Sequence, residues 1–159
     1  MADVLFGAVN PSGKLPFTYP NAPNGFTTYD HKPLENTSDN KVASQFEFGH
    51  GLSYTTFAYS DLKVSGAVTV TVTVKNTGTR AGKEAVQLYV SDLYRSVSPP
   101  NRELKGFRKV DLKPGQAQTV SFTLTRADLS FVGLNSKWMF EPGQFRAKIA
   151  NLAGEFTLR

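Results

Sequence analysis

Cysteine is absent from this 159-residue chain. That excludes a disulfide framework, a thiolate nucleophile and a Cys-ligated zinc site, but it leaves the compartment open. Histidine occurs only as His31 and His50, neither with partners at metal-ligand spacing. Long apolar runs are also missing, none approaching the ~20 residues needed to span a bilayer. The opening MADVLFGAVNPSG has no basic n-region, and Gly7 breaks its apolar run, so it does not read as a signal peptide. Either the protein is cytoplasmic or an export signal lies on a longer parent chain, one that is secreted or periplasmic.

Apolar residues make up 40% and aromatics 12%, enough for a packed core and against disorder. The length suits one ordinary domain with an appendage. The net charge of +5 raises the prospect of an anionic partner, but 13 acidic residues are interspersed with 18 basic ones. A solvated mixed surface explains that balance more simply.

The organising stretch is 46–57, FEFGHGLSYTTF. Gly49 and Gly51 bracket His50 and permit backbone angles closed to residues with a Cβ. Phe46, Phe48, Leu52 and Tyr54 flank this hinge, where a solvated linker would be polar or rich in Ser, Gly or Pro. The pattern predicts a buried corner that clamps an N-terminal arm (1–45) onto a β domain (46–159). Within the arm, ADVLF reads as the last turn of a helix stopped at Gly7, which suggests a start inside a larger domain. Leu15, Phe17 and Tyr19 alternate as a short strand, which Pro16 and Pro20 confine to a sheet edge. Residues 21–44 form a long loop with few apolar anchors. Asn36-Thr37-Ser38 fits a glycosylation triplet of little weight by itself.

Regular alternation begins after residue 55. AVTVTVTVK turns Val68, Val70, Val72 and Val74 to one face and threonines to the other, the pattern of a half-buried antiparallel strand. EAVQLYVS buries Val86, Leu88 and Val90 and leaves Gln87 and Tyr89 on the outer face. Further strands are expected at 57–64, 104–112 and 118–125, the last with Val120, Phe122 and Leu124 inward. A hairpin is expected between 137–140 and 144–150, with 155–158 closing the edge and Trp138 filling the core. About seven short strands at this spacing, with no intervening amphipathic helix, predict an all-β antiparallel sandwich of the immunoglobulin-like or fibronectin type III-like kind.

Chemistry is sparse. No serine sits in a G-x-S-x-G elbow, and the carboxylates lie in turns and on outer strand faces rather than as a converging pair. Asp61, Asp92, Asp111 and Asp128 sit near strand ends, where turn and capping roles are common. Arg102, Lys105, Arg108, Lys109 and Lys113 form a basic strand that reads as a charge-protected edge. With Phe107 the only nearby stacking group, it does not read as a nucleic-acid surface. Tyr89, Tyr94 and Trp138 are candidate platforms for sugar rings, against the commoner reading of aromatics as packing. No cofactor, metal, nucleic acid or membrane is called for, and the oligomeric state stays open.

Several segments together resemble the C-terminal end of glycoside hydrolase family 3 enzymes, the β-glucosidases and β-xylosidases. ADVLFGAVNPSGKLPFTYP (2–20) resembles the end of that family's α/β domain. FEFGHGLSYTTF resembles its junction, with His50 where many members carry tyrosine. VKNTGTRAGKEAVQLYVSD (74–92), ELKGFRKVDLKPGQ (103–116) and KWMFEPGQF (137–145) resemble its fibronectin type III-like domain. The resemblance implies a parent that releases terminal β-linked glucose or xylose with retention. It places the nucleophilic aspartate and the acid/base carboxylate in preceding domains, so no catalytic residue is assigned here. The expected role is a non-catalytic module packed on the parent's catalytic domains through Phe46, Phe48, His50, Leu52 and Tyr54. The alternative is a module that binds polysaccharide or another plant-wall polymer.

Overall fold

A computed structural model describes residues 1–23, 44–66, 68–100 and 102–159. His31, most of the expected 21–44 loop and the Asn36-Thr37-Ser38 triplet lie outside the described residues. The elements in chain order are α1 (Ala2–Leu5), β1 (Tyr19–Pro20), β2 (Ser44–Phe46), β3 (Phe57–Ser65), β4 (Thr69–Asn76) and β5 (Gly82–Asp92). They continue with β6 (Glu103–Leu112), β7 (Ala117–Thr123), β8 (Phe131–Val132), β9 (Trp138–Met139), β10 (Gly143–Ile149) and β11 (Leu152–Leu158). The chain is nearly all β. Four strands in the order β11-β10-β5-β6 face three in the order β3-β4-β7, with antiparallel pairing throughout.

Alternation dictates the inner faces. Val68, Val70, Val72 and Val74 are buried as expected, and they meet Val86, Leu88 and Val90 from the opposite sheet. Val120, Phe122 and Leu124 extend the core on one side, and Val110, Leu112, Phe145, Ala147 and Ile149 on the other. Phe145 stacks on Phe156 at 5.4 Å between centroids. One strand departs from regularity: β3 is bulged between Ser60 and Lys63, where Asp61 takes a φ of 54°.

Two expectations need correction. The 137–140 segment does not form a hairpin with 144–150. β9 pairs with β8, while β10 pairs with β11 and β5. A ladder of two residues is too short for alternation to reveal which strand it joins. Trp138 is not a core filler either, since it lies on the outward side of this small hairpin at 75% exposure.

The helical turn α1 ends before Gly7, whose φ is +78°, as the sequence predicted. Deep inside, Asn76 does more than turn the chain. It is fully buried at the end of β4. Its amide nitrogen donates to the carbonyls of Arg80 (2.7 Å) and Leu112 (2.9 Å). Its oxygen accepts from the Thr55 hydroxyl (2.8 Å) and the Gly78 N–H (3.0 Å).

Candidate functional site

The arm lies on the sandwich through a set of long-range hydrogen bonds centred on Asn10. Its amide donates to the Ala81 carbonyl at 3.1 Å, and its oxygen accepts from the Ser53 hydroxyl and the Tyr54 N–H at 2.9 and 2.8 Å. The Tyr54 hydroxyl donates to the Val4 carbonyl at 2.7 Å. The Arg80 guanidinium sits over the Tyr54 ring and donates to the Gly7 carbonyl. Leu15 and the corner exchange backbone bonds, Leu15 N–H to His50 carbonyl and Gly49 N–H to Leu15 carbonyl. Glycine is required twice here, for different reasons. Gly49 has a φ of +85° and would drive a Cβ into the Tyr89 hydroxyl. Gly51 faces the Gly13 carbonyl at a separation no Cβ could share.

Of the corner aromatics, only Phe48 is buried, its ring edge-on to Tyr89 at 5.6 Å. Tyr89 stands on the outer sheet face, as alternation predicted, yet only 7% of it is exposed because Phe48, Gly49 and Arg102 lie against it. Arg102 lies over the same ring at 5.1 Å, reaching Glu47 at 3.1 Å. Burial pushes the Tyr89 hydroxyl above its ordinary pKa, partly offset by the Arg102 charge. The corner is therefore half open rather than buried. Phe46, Leu52 and Tyr54 are exposed, as are Leu5, Phe6 and Val9 of the arm, and His50 is exposed while stacked on Phe46 at 4.7 Å.

Beneath the corner a cleft of about 730 Å³ opens on the four-stranded sheet. β10 pairs with β5 only over Tyr89–Asp92, so from Gly82 to Leu88 β5 is flanked by β6 on one side alone. The cleft occupies the uncovered side. At its base, the Glu84 carboxylate accepts from the Tyr59 hydroxyl at 2.7 Å and pairs with Lys14 of the arm at 3.1 Å. Burial, followed by the Glu84 charge, pushes the Tyr59 hydroxyl well above the ordinary tyrosine range. Gln87, Tyr89, Arg102 and Lys148 complete the wall, with Ser44, Phe46 and His50 at the mouth.

Sequence reasoning missed Glu84 and Lys14. Glu84 has the parity of the inward residues Val86 and Leu88, and a carboxylate at an inward position was the signal available. At the far end of the sandwich, Tyr94 is as exposed as Trp138. Several other carboxylates serve as ties within the sandwich. Asp128 accepts from the Thr125 N–H and hydroxyl, which hold its pKa down. Glu103 pairs with Arg95 and Lys105, and Glu155 with Arg146. Among the described residues no group of acidic and histidine side chains is arranged to hold a metal ion.

Comparison with known proteins divides the chain in two. Residues 1–54 match the glycosyl hydrolase family 3 C-terminal domain, and 84–153 match the fibronectin type III-like domain. A lysosomal β-glucosidase of Dictyostelium discoideum is 41% identical over 95% of this chain and 20% of its own length. The thermostable β-glucosidase B of Acetivibrio thermocellus is 40% identical over 100% of this chain and 24% of its own. Among solved structures, a β-glucosidase involved in saponin metabolism from intestinal bacteria superposes with a TM-score of 0.89 at 34% identity. That match covers 99% of this chain and 24% of the other. The β-D-glucoside glucohydrolase of Trichoderma reesei gives 0.80 at 31% identity, over 98% of this chain and 28% of the other. The chain thus spans about a fifth to a quarter of the curated relatives it matches.

Proposed function

We propose that this chain, which is the C-terminal and fibronectin type III-like part of the family 3 glycoside hydrolases, is a non-catalytic module that packs on the catalytic domains of a β-glycosidase and stabilises them. The parent's reaction is hydrolysis of terminal β-linked glucose or xylose. The chain alone does not perform it. One observation carries this reading: Leu5, Phe6, Val9, Leu52 and Tyr54 are exposed on an arm and corner that are hydrogen-bonded to each other and to the sandwich. Isolated apolar side chains on a surface are ordinary, but a set of this kind on a rigid support suits burial against another domain. In the same module Phe48 holds the corner against β5 through Tyr89, with Phe46 and His50 stacked on each other beside it.

The test is a paired melt. Phe6→Asp with Leu52→Asp, placed in the full-length parent, is expected to lower the melting temperature of the catalytic domains. The same pair in this chain alone should leave its own melt unchanged, because both side chains are exposed. A parent that melts and turns over as before would refute the docking role. A second reading, polymer binding through Tyr94 and Trp138, is favoured by their shared exposure. Co-sedimentation with insoluble cellulose and xylan, retained in high salt and lost in Trp138→Ala, would support it.

A further inference from the structure

We infer that the cleft beneath the corner is a glycan-binding site, which takes the end of an oligosaccharide from a row of aromatic rings at its mouth. The inference borrows its ligand class from the polymer-binding reading but uses different residues. Four rings touch in sequence: Phe17 to Tyr19 at 6.1 Å, Tyr19 to Phe46 at 6.4 Å, and Phe46 to His50 at 4.7 Å. Phe17, Tyr19 and Phe46 are each 41–47% exposed, so ring surface is open to solvent along the row. The last two rings, Phe46 and His50, are themselves lining residues of the cleft. The row therefore leads into it.

The lining matches the chemistry of a sugar. A pyranose presents apolar C–H faces and a rim of hydroxyls, each both donor and acceptor. Aromatic faces suit the former. The Gln87 amide, the Glu47 and Glu84 carboxylates, the Arg102 guanidinium and the Lys148 ammonium suit the latter. The charge arrangement separates this ligand from others. Lys14 is engaged by Glu84 and Arg102 by Glu47, which leaves Lys148 as the one lining cation without an ion pair among the described residues, fewer than a phosphate site gathers. The same buried charges disfavour a wholly apolar ligand. At about 730 Å³, the volume lies within the ordinary range for small-ligand pockets. It is formed where β5 lacks a neighbouring strand, so it is part of the sheet topology rather than a surface irregularity.

Isothermal titration of the 159-residue chain with cellotetraose and xylotetraose, paired with amide chemical-shift mapping, tests the inference. Saturable binding is expected, with shifts centred on Gln87, Tyr89 and Lys148. Tyr19→Ala and Lys148→Ala, both at exposed positions, are expected to weaken it at least about fivefold while leaving the melting temperature unchanged. Trp138→Ala should have no effect on it. The inference is overturned if neither sugar binds up to roughly 10 mM. Binding lost in Trp138→Ala but indifferent to Tyr19→Ala and Lys148→Ala would also overturn it, and would leave the polymer-binding reading standing. The docking role is read from the parent's melt and is untouched by either outcome.

Discussion

Replacing Asn76 with leucine should be among the most damaging single changes in the sandwich, although the residue looks like a turn former. Its side chain uses the full capacity of an amide, two donated and two accepted bonds. Leucine has a similar volume, so little of the loss would come from a cavity. What changes is that the Thr55 hydroxyl, the Gly78 N–H and the carbonyls of Arg80 and Leu112 lose a partner, at Thr55 and Leu112 in buried bonds and at Gly78 and Arg80 in part-buried ones. At about 1 kcal/mol per hydrogen bond, the four together amount to roughly 4 kcal/mol. For a domain of this size, each kcal/mol shifts the midpoint by about 2–8 °C, so a fall of at least about 8 °C is expected in a circular-dichroism melt. Thr55→Val removes one partner and should cost about 1 kcal/mol. In Asn76→Leu, that bond is already gone. The double variant should then be less destabilised than the sum of the singles, by about 1 kcal/mol. A shift below about 3 °C for Asn76→Leu, or strict additivity with Thr55→Val, would refute the view that this amide ties the corner to the sandwich.

Lys14→Met should leave the Glu84 carboxylate beside Tyr59 without its cation. Removing one partner of a buried pair costs about 3–5 kcal/mol, reduced here toward about 2 because Lys14 keeps some solvent contact; urea denaturation measures it. Tyr59 gives a pH signature. Its hydroxyl pKa is raised in the folded state, so the native chain holds the proton more tightly than the unfolded one. The associated stability is intact below the unfolded value of about 10 and is lost as pH rises beyond it. Melts from neutral to alkaline pH should fall more steeply above that point than in Tyr59→Phe. Trp138→Ala should change stability by less than about 0.5 kcal/mol, as its exposure predicts, and a larger loss in the thermal melt would mean that the β8–β9 hairpin packs on more than itself.

The parts of the fold legible in the sequence were those governed by local periodicity. β4 could be read from Val70, Val72 and Val74 alternating with three threonines, and the inward residues of β5 and β7 from the same rule, because a strand's two faces are written every second residue. The attachment of the arm was not legible. Asn10 meets Ser53 and Tyr54 across more than forty residues, and nothing local to Asn10-Pro11 distinguishes an interdomain tie from an ordinary turn. Tyr89 illustrates the same limit. Alternation correctly assigned it to the outer face, but only the docked corner and Arg102 determine that this face is covered. Glu84 and Lys14 are unremarkable in isolation and become a pair only when the arm returns to β5. Trp138 was misread because its size argues for burial on average, whereas a hairpin of two-residue strands has no opposite layer to receive it.

The backbone bonds joining Leu15 to Gly49 and His50, together with the β1–β2 ladder, form a buckle. It holds stretches far apart in sequence in one register, Leu15 against Gly49 and His50 and Tyr19 against Phe46. A change that opens it, such as Gly51→Val, whose side chain would collide with the Gly13 carbonyl, would release Phe48 from Tyr89 and Lys14 from Glu84 together rather than one contact at a time.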